Sequence, residues 1–154
     1  MILFRDRTPR REGTSEGGEM ADDEVIGRLL EYERRLHTLR TEMFDHNVMN
    51  ESSWPLVQDL FAAHLKGEKL RTKQLCATSG LPQTTVIRYL DHLEKFDVVC
   101  RESDPDDNRV TLVSVTEAGA FWMREYYSQV IKREQMLAKD DSGIFALGSR
   151  EEAG

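Results

Sequence analysis

A chain of 154 residues, 39% apolar and 32% charged, suits one domain with a single modest core. No apolar run approaches the roughly 20 residues that cross a bilayer, and the opening MILFRDRTPRREG meets charge too soon for a secretory signal, so no membrane partner is expected. Two cysteines, Cys76 and Cys100, are too few for a disulfide framework and point to a reducing cytoplasm, while the net charge of −7 argues weakly against a nucleic-acid partner unless a basic face is hidden within it.

Residues 1–20 are rich in Gly, Ser, Thr and Pro with mixed charge, the composition of a disordered tail. Met20 follows EGGE, whose purine-rich codons suggest a ribosome-binding sequence ahead of a second start. From about 22 to 47 a long helix is expected. Val25, Leu29, Tyr32, Leu36, Leu39 and Met43 recur at alternating steps of four and three, the seam of a helix packed along another. Such a helix runs to about 38 Å at 1.5 Å per residue, more than a small core covers, so a partner subunit is expected to share it.

A second helix opens at SSWP, with Pro55 suited to the first helical turn, and stops at Gly67. Thr72 reads as the cap of a short helix ending at Gly80, and Pro82 opens the next, whose Val86, Leu90 and Leu93 form a buried face. Two helices joined by a tight Gly-containing turn describe a helix-turn-helix. From Val98 the period becomes that of strands: 98–102, a tip, then 109–115. Thr116 caps a final helix through about Ala138, and residues 140–154 form a loose tail in which Ile144, Phe145 and Leu147 are available to dock.

The tip, SDPDDN, invites a calcium reading, because Asp104, Asp106 and Asn108 stand at positions 1, 3 and 5 of an EF-hand loop. That loop needs Gly at position 6 and Glu at 12, where this chain has Arg109 and Val115. The reading fails, and the stretch is a hairpin turn built on Pro105. A hairpin directly after a helix-turn-helix is a wing. Asp107 and Arg109, two apart, share one side of it; Asp107 is expected to hold the Arg109 guanidinium extended toward the electronegative minor groove of DNA.

DNRVTLVSVTEAG is similar to the wing signature of the multiple-antibiotic-resistance regulator (MarR) family, falling on Asp107, Arg109, Val115, Thr116 and Gly119, with Val115 in place of Leu. TTVIRYLDHLEKFDVV resembles the family's recognition helix and its entry into the wing, with Asp97 at a junction usually held by Gly. The order of elements matches from about Asp22 to Ala138, although the family's further C-terminal helix is missing. The resemblance implies a mainly α fold with a small β-hairpin wing: a winged helix-turn-helix with flanking N- and C-terminal dimerisation helices. On that reading residues 21–139 are one domain, with dimer helices at about 22–47 and 117–138 and a DNA-binding lobe at about 54–115.

Residues 66–101 carry seven Lys/Arg against four acids, a net +3 that leaves −10 for the rest of the chain. Charge is thus segregated, as a duplex-binding face requires. With Val86, Leu90 and Leu93 inward, Gln83, Thr84, Thr85, Ile87, Arg88 and His92 lie near the open face. Gln83 suits adenine, Arg88 suits guanine or phosphate, and Ile87 suits a thymine methyl. Lys69, Arg71, Lys73 and Lys95 are expected on phosphates. Val25, Leu29, Tyr32, Leu36 and Leu39, with Trp122, Tyr126 and Val130, are expected in a homodimer interface. The resemblance implies a regulator relieved by a small-molecule effector, for which His37, Trp54 and His64 are candidate pocket residues. No P-loop, nucleophile elbow or metal-ligand spacing is present, so no enzyme, cofactor or metal is expected. The rival reading is a winged-helix adaptor that binds protein and never DNA.

Overall fold

The computed structural model describes residues 21–141, 143 and 144. The expected tail at 1–20, the second start at Met20 and the docking of Phe145 and Leu147 lie outside the described residues. The elements run α1 (Asp23–Met43), α2 (Trp54–Leu65), β1 (Leu70–Arg71), α3 (Thr72–Ser79), α4 (Gln83–Lys95), β2 (Val99–Ser103), β3 (Thr111–Val115) and α5 (Glu117–Lys139).

Local chemistry accounts for most of the boundaries. Asp22 caps α1 by accepting the Glu24 N–H at 2.8 Å. The helix stops at Met43, not at 47: Phe44 is extended, and Asp45 then organises its own turn, its carboxylate accepting the Asn47 N–H at 2.8 Å and its carbonyl those of Val48 and Met49. Gly67 and Gly80, at φ 73° and 67°, end α2 and α3 in the left-handed conformation that glycine tolerates best. Thr72 is the first residue of α3 and not its cap; the side-chain oxygen of Gln74 accepts the Arg71 N–H instead, at 2.7 Å. Asp97 takes the left-handed position (φ 56°) between α4 and β2, and Thr116 caps α5 by accepting the Gly119 N–H at 2.9 Å.

The sheet is three-stranded and antiparallel in the order β1–β3–β2. The hairpin pairs Val99 with Val115 and Ser103 with Thr111. The two-residue β1 pairs Leu70 with Val113 and Arg71 with Leu112, joining the start of α3 to the wing. Sequence reading missed this strand, since two residues carry no periodicity and their only signal is the partner they find.

The core gathers Leu56, Val57 and Leu60 of α2, Leu75 of α3, Val86, Leu90 and Leu93 of α4, and Val99 and Val113 of the wing. Trp54 meets the buried Tyr126 edge-on at 5.0 Å, which seats α5 on α2. Burial raises the Tyr126 phenol above its ordinary value, against the lowering influence of Arg40. The second half of α1 joins this core through Leu39, with Tyr32, Leu36 and Met43 half-buried beside it. Between α1 and α5, Arg35 forms a two-toothed pair with the buried Glu134 (2.8 and 3.0 Å).

The proposed seam therefore divides. Leu39, Tyr126 and Val130 are buried within one chain and have little surface left for a partner, whereas Leu29 and Trp122 remain exposed. Ile26, Leu30, Phe121, Ile131 and Met136 are exposed with them, along the first half of α1 and the outer side of α5.

Candidate nucleic-acid interface

Helix α4 packs its apolar face, Val86, Leu90 and Leu93, into the core, leaving Gln83, Thr84, Ile87 and Arg88 exposed and Thr85 and His92 partly so. Gln83 and Ile87, one turn apart, line an open groove of about 460 Å³ whose far wall is the wing: Asp107, Arg109, Val110 and Thr111. Its floor is the start of α3, with Arg71 and Lys73. The wing arginine and one flank of α4 thus face a common space, which no element of the described chain covers.

The acids at the wing tip shape the turn. Asp104 accepts the Asp106 N–H at 3.0 Å and Asp107 accepts the Arg109 N–H at 3.0 Å, while the Val110 and Asp107 N–H groups close the loop on the Asp107 and Asp104 carbonyls. The Asp107 carboxylate takes the Arg109 backbone N–H and does not hold its guanidinium, contrary to the sequence expectation. The Arg109 head makes no ion pair among the described residues, so it is available to an outside anion. No group of three metal-ligating side chains occurs among the described residues.

Charge on this face is less free than the sequence count suggests. Lys69 pairs with Glu102, Arg71 with Asp104 at 3.5 Å, and Arg101 with Asp91 at 2.5 Å and Glu94 at 2.6 Å. The hydrogen bond it donates to Glu94 pushes the Arg101 guanidinium above its ordinary value, and the one donated to Glu102 does the same for Lys69. Arg101 thereby clips β2 to α4, a role sequence reading missed because its partners lie on another element. Lys73, Arg88, Lys95 and Arg109 make no ion pair among the described residues. His92 is turned away from the open face: its Nε2 bonds the Asn47 carbonyl in the α1–α2 loop.

The three candidate pocket residues separate. His37 and Trp54 line one cavity of about 260 Å³, with Arg40, Phe44, His46 and Asn50 among its other walls. His37 bonds Glu51 at 3.1 Å, and the Arg40 guanidinium lies over the Trp54 ring at 5.3 Å. The Arg40 Nε is buried and has no hydrogen-bond partner. His64 is elsewhere, stacked on Phe61 at 6.1 Å.

Residues 49–119 match the family described as a winged helix DNA-binding domain. No curated protein matches the sequence. Among solved structures, the complex of Staphylococcus aureus MepR with DNA aligns at a TM-score of 0.56 and 17% identity, over 74% of this chain and 91% of that one. NadR in complex with 4-hydroxyphenylacetate aligns at 0.58 and 16%, over 83% and 85%. The transcriptional regulator Tm0710 of Thermotoga maritima aligns at 0.60 and 18%, over 77% and 82%. At these identities the likeness is one of fold.

Proposed function

For a chain with the winged-helix fold of the MarR-type regulators and a match to a winged helix DNA-binding domain over 49–119, we propose a sequence-specific, double-stranded-DNA-binding transcriptional regulator, not an enzyme, working in the cytoplasm as a homodimeric repressor on a palindromic operator. The observation that carries this reading is the groove shared by Gln83, Ile87 and Arg109. Helix α4 enters the major groove, with Gln83, Thr84, Thr85 and Ile87 toward base edges, and Arg109 reaches into the adjacent minor groove. Lys73 and Lys95 neutralise phosphates directly; Lys69 and Arg71 do so once phosphate displaces Glu102 and Asp104.

Arg109→Ala is expected to weaken binding to genomic fragments selected by the protein by about 2 kcal/mol and to make the salt dependence shallower. Fluorescence anisotropy across a salt series measures both. No salt-dependent binding by the wild-type chain would favour the adaptor reading instead.

One winged domain covers little DNA, so two are joined. The exposed Ile26, Leu29 and Leu30 of α1, with Trp122 and Ile131 of α5, supply the apolar surface for that contact. Leu30→Glu is expected to shift the mass measured by light scattering from dimer to monomer at micromolar concentration; an unchanged dimer would move the interface elsewhere.

The effector reading attaches to the cavity of His37 and Trp54. Its aromatic wall and the unpartnered Arg40 Nε–H suit a small aromatic acid, whose carboxylate would displace Glu51 from His37 and the Arg40 guanidinium, in keeping with the 4-hydroxyphenylacetate bound by NadR. His64 has no part in it.

A further inference from the structure

The recognition helix has a second flank. One residue past Ile87, about 100° around the helix, Arg88 turns away from the wing. With His92 and Tyr89 it faces the α1–α2 loop across a notch of about 390 Å³, whose other walls are His46, Asn47 and Asn50. No carboxylate lines this notch, unlike the wing groove with its Asp107.

The hydrogen bonds of the loop leave donors facing outward. Asn50 spends its side-chain oxygen on the Ser52 and Ser53 N–H groups, both at 3.0 Å, which leaves its NH₂ unengaged among the described residues. The Asn47 carbonyl can only accept, so His92 presents Nε2–H to it and the loop is tied to α4. The His46 ring and the Arg88 guanidinium have neither a hydrogen bond nor an ion pair among the described residues; Arg88 lies over the Tyr89 ring at 5.6 Å.

A helix about 10–12 Å across fills a major groove about 12 Å wide, so phosphates line both of its sides. The wing meets one strand. We propose that the notch of His46, Asn50, Arg88 and Tyr89 seats a backbone phosphate of the opposite strand, making the α1–α2 loop a second phosphate clamp on the recognition helix. This rests on the DNA-binding reading above. His46 and Asn50 also line the His37–Trp54 cavity, so an occupant there would compete with the phosphate for the same two side chains.

The test is the affinity of the full chain for a fluorescein-labelled duplex of randomised sequence. Asn50→Asp keeps the oxygen that caps Ser52 and Ser53 but replaces the outward NH₂ with a charged oxygen. His46→Glu leaves every loop hydrogen bond described here intact. Each is expected to weaken binding about tenfold, the loss of one charge-assisted contact. Gln135→Glu, the same charge change on the exposed side of α5, is expected to change it less than about twofold because salt screens a distant charge. Binding by His46→Glu within about twofold of wild type, while Arg109→Ala is clearly weakened, would overturn the clamp and leave the DNA reading standing. A wild-type chain that ignores the duplex would remove both.

Discussion

Arg35→Ala is expected to lower the unfolding free energy by about 3 kcal/mol, the lower end of what breaking a buried ion pair costs. Glu134 is the reason. Its side chain is 3% exposed, and Arg35 supplies two of its hydrogen bonds, with the Ile144 N–H adding one at 3.1 Å. Without the guanidinium a carboxylate stays buried between α1 and α5 with the Ile144 N–H as its one remaining donor among the described residues. Arg35 itself is 29% exposed, which softens the loss through water.

The double variant Arg35→Met, Glu134→Leu separates charge from packing. It is expected to fall within about 1 kcal/mol of wild type, since apolar replacement of a whole buried pair removes the cost of dehydrating it. Urea denaturation at one fixed protein concentration measures both variants, because association would add to apparent stability. A loss below about 1 kcal/mol for Arg35→Ala would mean that water already reaches the carboxylate. The pair joins α1 and α5, so its loss also loosens the platform on which the proposed dimer would space its two DNA-binding helices.

Gly119→Ala is expected to cost about 3 kcal/mol, the upper part of the range for forcing an atom into a closed site. A Cβ at Gly119 would stand 2.2 Å from the carbonyl oxygen of Val98 and 3.1 Å from its carbon. That carbonyl is not free to swing aside, because it accepts the Thr116 N–H at 3.1 Å, while the Thr116 hydroxyl ties down the neighbouring Asp97 carbonyl. The first turn of α5 would have to back away from the base of the wing. A drop of about 10 °C in melting temperature is expected, with duplex affinity falling in parallel as the wing loses its seat. A melting temperature within about 2 °C of wild type would show that the junction yields easily.

The wing signature shows how far a sequence reaches. Thr116 as a cap and DPDDN as a turn were legible because both act through hydrogen bonds a few residues apart. So were the buried face of α4 and the failure of the calcium loop. The uses of the acids were not. Nothing in the order of residues says that Glu102 holds Lys69 or that Asp91 and Glu94 hold Arg101, because those contacts exist only once β2 lies against α4 and β1 against β3. Counting charge along the chain therefore overstated the free positive face.

The same division runs through α1 and the candidate pocket. Heptad spacing identified a helix with one apolar side, but periodicity is blind to what that side touches. Leu39 and Tyr126 turned out to be core of the single chain, while Ile26 and Leu30, outside the main seam, stand exposed. His37, Trp54 and His64 were grouped by residue type; only packing put the first two in one cavity and the third against Phe61. What the sequence determined by itself is the five helices and the wing hairpin, the cap at Thr116, the turns and the apolar faces, since neighbours along the chain decide those; β1 and the cap of α3 were outside its reach. Tertiary structure alone decided which faces were spent on the core, which cations were already paired, and that Arg109 shares a space with Gln83, because each depends on groups that meet across tens of residues.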